Sequence, residues 1–229
     1  MKIDLVVFDI AGTTVSDKGN INDAFRDAMN ESGYPVTVAS VNHVMGYRKK
    51  EAIKILLEKF HPGESGNQDL IEHIHERFTK DMVAYYQDTP ELFALPYAED
   101  LFKLLHVNNI KVALDTGFTK VITDTIMERL GWNDNSLIDC VVSSDEVLEG
   151  RPHPYMIQKI MNELRLTEPG QVAKVGDTEV DIAEGRSAGC GLVISVTTGA
   201  YNRDELEFYS PDHIIDGLNE LPAILKIDS

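Results

Sequence analysis

The stretch Leu5-Val6-Val7-Phe8-Asp9-Ile10-Ala11-Gly12-Thr13-Thr14 decides how the rest of the chain is read. Its apolar run suits a strand covered on both faces, and Gly12 allows a sharp exit that leaves Asp9 at the carboxyl end. Ligands of open α/β sheets bind along that edge. A carboxylate placed there can attack phosphorus and can also hold a metal ion. Alone, Asp9 is equally well read as the cap of a turn.

Downstream of this strand the pattern is helical as far as residue 92. Ala24, Phe25, Ala28 and Met29 form an apolar face that stops at Gly33. A second helix starts near Arg48 and carries Ile53, Leu56, Leu57 and Phe60, and a third runs from about Asp69 to Tyr86. Beyond Pro96, helices alternate with short apolar strands at 111–114, 137–142, 172–175 and 192–196, with a short final pair near Ile214 and 218–226. Alternation of this kind predicts a Rossmann-like parallel sheet covered on both faces. The expected architecture is α/β, with a core of residues 1–15 plus 93–229 and an all-helical cap of residues 16–92.

Composition narrows the range of partners. The 229 residues are 43% hydrophobic and 26% charged, which is globular in kind, and the net charge of −17 argues against nucleic acid or an anionic membrane. A phosphorylated substrate remains compatible, because a bound cation can reverse the field locally. Cys140 and Cys190 form no framework and read as buried thiols. With no apolar run long enough to span a bilayer and no signal-peptide pattern, a reducing cytoplasm is expected.

Further strand ends repeat the design at Asp9. Asp115-Thr116-Gly117, Ser143-Ser144-Asp145 and Gly176-Asp177-Thr178 each close an apolar run with small or acidic residues. Asp177 and Asp181 span a strand end and the first turn of a helix. With Asp9 they offer the hard oxygen ligands that Mg²⁺ prefers. Arg151, in the turn Gly150-Arg151-Pro152-His153-Pro154, has planar donors suited to phosphate oxygens, and His153 is a candidate substrate contact. Thr116 offers a hydroxyl to the same anion. Lys49 shares a helix stripe with Ile53, Leu56 and Phe60, so it points where the apolar side chains point. Desolvation and its neighbours Arg48 and Lys50 would lower its pKa toward the neutral amine that carbonyl attack requires. A snorkelling Lys whose stem covers apolar surface fits the same pattern.

Asp9 to Thr14, Thr116, Arg151 and Gly176 to Asp181, in this order around a helical insertion, resemble the haloacid dehalogenase superfamily over essentially the whole chain. Ala11, where phosphatases of that superfamily carry a second Asp, and Arg151, where most members carry Lys, resemble the phosphonatase branch, the phosphonoacetaldehyde hydrolases. Met45-Gly46-Tyr47-Arg48-Lys49 matches the spacing of that branch's Schiff-base Lys. The resemblance implies a C1-type cap and a Lys49 imine with the substrate aldehyde. It further implies attack of Asp9 on phosphorus and Mg²⁺ held by Asp9, the Ala11 carbonyl and Asp177 with Asp181 close by. Thr116 and Arg151 would bind phosphoryl oxygens, and Gly12, Thr13, Met45, Gly46, Arg48, Gly117 and His153 would surround the substrate. A homodimer is compatible with it. The chain departs from the family at Ala52, where His is usual, and at Phe118 and His153, where Tyr is usual. The competing functions are a phosphatase or pyrophosphatase acting on a small metabolite and a non-catalytic binding protein.

Overall fold

The computed structural model describes residues 2–133 and 136–227. Strands β1 (Leu5–Asp9), β2 (Lys111–Thr116), β3 (Cys140–Ser143), β4 (Val172–Gly176), β5 (Leu192–Val196) and β6 (His213–Ile215) form one sheet in the order β3-β2-β1-β4-β5-β6. Every pairing is parallel. The chain builds outward from β1 through β2 to β3 and then returns to the other side of β1 as β4. A crevice therefore opens between the carboxyl ends of β1 and β4. Asp9 lies opposite Asp115 in the register, so both carboxylates arrive at that edge together.

Between β1 and β2 the chain makes α1 (Asn20–Glu31), α2 (Val38–Asn42), α3 (Lys49–Phe60) and α4 (Gln68–Asp88). The crossings into and out of this insertion run side by side. Val15 bridges to Ala94, and Ser16 Oγ donates to the Glu91 carbonyl at 2.6 Å. Helices α5 (Ala98–Val107), α6 (Lys120–Arg129), α7 (Tyr155–Glu163), α8 (Glu179–Ala188), α9 (Arg203–Phe208) and α10 (Leu221–Leu225) accompany the later strands. Side-chain alternation along β1 splits the core. Val6 and Phe8 pack with α5 and α6, while Leu5 and Val7 pack with α7, α8 and α9.

The first of these cores continues into the insertion, where α4 packs on α6 and on the ring of Phe118. Phe118, in the turn after β2, is buried, with its centroid 6.4 Å from that of Phe78 and 6.0 Å from that of Tyr86, both on α4. Phe78 in turn stands 5.3 Å from Phe25 of α1. The α3 stripe facing this core is Lys49, Ala52, Ile53, Leu56 and Leu57. Phe60, which the spacing placed on the stripe, is 42% exposed because it ends the helix. The strand expected at 137–142 begins only at Cys140, and both cysteines are buried and free. Among the described residues no helix is long and apolar enough to cross a membrane.

Candidate active site

At the crevice, a narrow cleft is lined by Asp9, Ala11 and Asp177 on one side and by Lys49, Met45 and Gly46 on the other. Thr116, Gly117, Asp17, Ile21, Phe118 and Thr178 complete its wall. The contact between the insertion and the sheet edge is close. A side chain at Gly46, whose φ is +82°, would overlap Thr178 and Val180, and one at Gly117 would overlap the carbonyls of Gly46 and Tyr47. Tyr47 Oη donates to Glu179 at 3.2 Å and Arg48 donates to the Leu148 carbonyl at 3.0 Å. These contacts hold the start of α3, and with it Lys49, over the end of β1.

Lys49 is 4% exposed. Its Nζ lies 5.3 Å from the Phe118 ring centroid and 5.9 Å from that of Phe78, and among the described residues it makes no ion pair. Burial brings its pKa down to about 8, against an opposing pull from Asp9. The aromatic faces soften the loss of solvent but cannot replace a carboxylate.

Behind Asp9 the charges are arranged differently. The Arg151 guanidinium is fully buried. Its Nε donates to Glu184 at 2.9 Å, one terminal nitrogen reaches Asp9 Oδ1 at 2.6 Å and Asp181 Oδ1 at 3.1 Å, and the other donates to the Asp115 carbonyl and carboxylate. Lys174, buried in the middle of β4, pairs with Asp115, with Asp181 at 3.2 Å and with Glu184 at 3.2 Å. Burial pushes Glu184 up to about 8, against the lowering charges of Lys174 and Arg151. Burial likewise raises Asp9, to about 6, against the lowering effect of Arg151.

The oxygens of Asp9, Asp115 and Asp181 lie within 4.8 Å of one another, but Arg151 and Lys174 already fill that space with positive charge. The donor set that faces the cleft is Asp9, the Ala11 carbonyl and Asp177. It consists wholly of oxygen, as Mg²⁺ requires. Burial, followed by the charges of Asp9 and Asp181, drives the Asp177 carboxyl well above its usual range, a penalty that a divalent cation would remove. The residues present fit the ion.

The structure brings Asp9, Ala11, Met45, Gly46, Lys49, Thr116, Gly117 and Asp177 to one cleft. The remaining expected residues lie elsewhere. Arg151 meets Asp9 from behind, and its donors are spent on carboxylates rather than open to a phosphoryl group. Asp181 Oδ2 accepts from the Thr178 hydroxyl at 2.6 Å, closing a capping box on α8, while its other oxygen faces Arg151 and Lys174. Gly12 takes a left-handed φ of +84° against Asp177, and Thr13 donates to Asp177 Oδ1 at 3.3 Å, so both brace that carboxylate and neither lines the cleft. Arg48 and His153 point away from the cleft, Arg48 held by its bond to Leu148 and His153 stacked on Tyr155 with its side chain 48% exposed. Sequence reasoning passed over Asp17, Lys174 and Glu184. Lys174 carried a signal, since a charged residue inside a doubly covered strand demands a buried partner.

A family model for haloacid dehalogenase-like hydrolases matches residues 3–189. The chain is 27% identical over 256 residues to phosphonoacetaldehyde hydrolase of Latilactobacillus sakei subsp. sakei, a match spanning 97% of this chain and 95% of that protein. A hydrolase from Pseudomonas syringae superposes with a TM-score of 0.84 at 19% identity over the whole of both chains. A phosphonoacetaldehyde hydrolase-like protein from Oleispira antarctica does so with 0.80 at 22% identity, over 99% of this chain and 92% of that one. The chain belongs to the haloacid dehalogenase-like hydrolases.

Proposed function

We propose that this haloacid dehalogenase-like hydrolase cleaves the carbon–phosphorus bond of phosphonoacetaldehyde or a closely related small phosphonate. In this reading residues 16–92 act as a cap that carries Lys49 to the core. The observation carrying the proposal is the placement of Lys49. A buried amine with no ion pair and a pKa brought down to about 8 faces the same cleft as Asp9.

Lys49 adds through its neutral amine to the aldehyde carbon and forms an iminium. Asp9 attacks phosphorus, and the electrons of the breaking C–P bond enter the iminium to give an enamine. Carbon therefore leaves without needing a proton, consistent with Ala11 at the position where an acid would otherwise stand. The phosphoryl group on Asp9 is then released by water. Thr116 and the Gly117 amide receive the phosphoryl oxygens. Arg151 holds one Asp9 oxygen at 2.6 Å, which orients the nucleophile. Mg²⁺ held by Asp9, the Ala11 carbonyl and Asp177 would supply positive charge beside the phosphoryl group.

Supplied with phosphonoacetaldehyde and Mg²⁺, the wild type is expected to release acetaldehyde and phosphate together, and Lys49→Arg neither. If the wild type makes no acetaldehyde yet hydrolyses a phosphate ester or anhydride, Lys49 is a phosphate-binding cation and the proposal fails.

A further inference from the structure

Imine formation needs proton movements that none of the groups assigned so far performs, and the structure offers one candidate for them. The ionisable groups lining the cleft are Asp9, Asp177, Lys49 and Asp17. Asp9 and Asp177 belong to the phosphoryl end. Asp17 stands in the strap between β1 and α1, largely buried, in the same wall as Lys49, and it attracts Lys49 electrostatically without forming an ion pair. Both side chains therefore border the same cleft, where a substrate can meet them together. Its Oδ1 accepts the Gly19 amide at 3.0 Å at the start of α1, which fixes the carboxyl in place. From α4 the Tyr86 hydroxyl also interacts with it electrostatically, and the amides of Asn20 and Ile21 bond to it from the start of α1.

We infer that Asp17 is a catalytic residue, the acid–base group that carries protons between Lys49 and the substrate carbonyl oxygen. The inference rests on the imine reading given above. Asp17 takes a proton from the Lys49 ammonium, and the freed amine forms a bond to the carbonyl carbon. The carboxyl passes that proton, and then a second one from the same nitrogen, to the carbonyl oxygen, which departs as water when the C=N bond forms. Ammonium and aldehyde become iminium and water, and the carboxylate is returned unchanged. A polar group is thereby supplied to a wall on which Ile21, Met45 and Phe118 offer none.

Asp17→Asn retains an acceptor for the Gly19 amide but cannot shuttle protons. With phosphonoacetaldehyde and borohydride, mass spectrometry of the Lys49 peptide measures the rate of imine trapping. That rate should fall ~10²-fold or more in Asp17→Asn. The unfolding midpoint and the inhibition by inorganic phosphate, which binds at the far end of the cleft, should stay unchanged. Asp17→Ser, which also retains a cap, should regain part of the trapping rate when formate is added. Wild-type trapping rates in both variants would overturn the inference and leave the function standing. Absence of trapped Lys49 in the wild type would remove both.

Discussion

Lys49 and Lys174 are both buried lysines on opposite sides of Asp9, and their proton affinities move in opposite directions. Burial works against the charge of each. For Lys174 that penalty is outweighed by Asp115, Glu184 and Asp181, so its ammonium is held above its ordinary value. Lys49 has only aromatic rings at close range and falls to about 8. Residue type and depth are nearly the same in the two cases. Contact with carboxylates decides which lysine is fixed in place and which is free to react.

The same substitution at both positions puts this contrast at risk. Lys49→Met should abolish acetaldehyde release, by ~10⁴-fold or more, because the covalent route is lost. It should also stabilise the fold. The unfolded ammonium keeps its proton up to 10.5 while the folded one releases it at about 8, so the penalty is full below pH 8 and is relieved as the pH climbs toward 10.5. Removing the amine should therefore add about 3 kcal/mol at pH 7, read as a higher denaturant midpoint that converges with wild type above pH 10.5. Lys174→Met should have the opposite effect and cost about 3–5 kcal/mol, since it strips the partner from buried Asp115, with a fall of about 10 °C in Tm. If both variants shift stability in the same direction, the contrast fails. A smaller effect concerns reactivity alone. Reductive methylation of Lys49 should rise through a midpoint near pH 8, and Asp9→Asn should move that midpoint lower by removing the carboxylate that favours the ammonium.

Much of this arrangement was legible in the sequence, and what was not has physical causes. β1 with Asp9 could be read because an uninterrupted apolar run has few alternatives to a covered strand, and Lys49 because helical spacing fixes which way a side chain points. The short helices α2 (Val38–Asn42) and α9 (Arg203–Phe208) escaped, being too brief to show a period. Arg151 was found, but the direction of its side chain was not. A turn motif does not reveal that Glu184 and Asp115, distant in sequence, will occupy its donors. Asp17 gave no signal because its place in the wall depends on how the strap folds back beneath Lys49.

The position of Phe118 has one more consequence. This ring belongs to the sheet edge yet is buried against Phe78 and Tyr86 of the insertion, so parting the two halves of the cleft would wet it. Exposing a phenylalanine costs about 2–3 kcal/mol, and the bonds of Tyr47 to Glu179 and of Arg129 to the Tyr86 carbonyl would be lost with it. This one side chain therefore acts as a latch between the sheet edge and the insertion, and its burial favours the shut arrangement of the cleft.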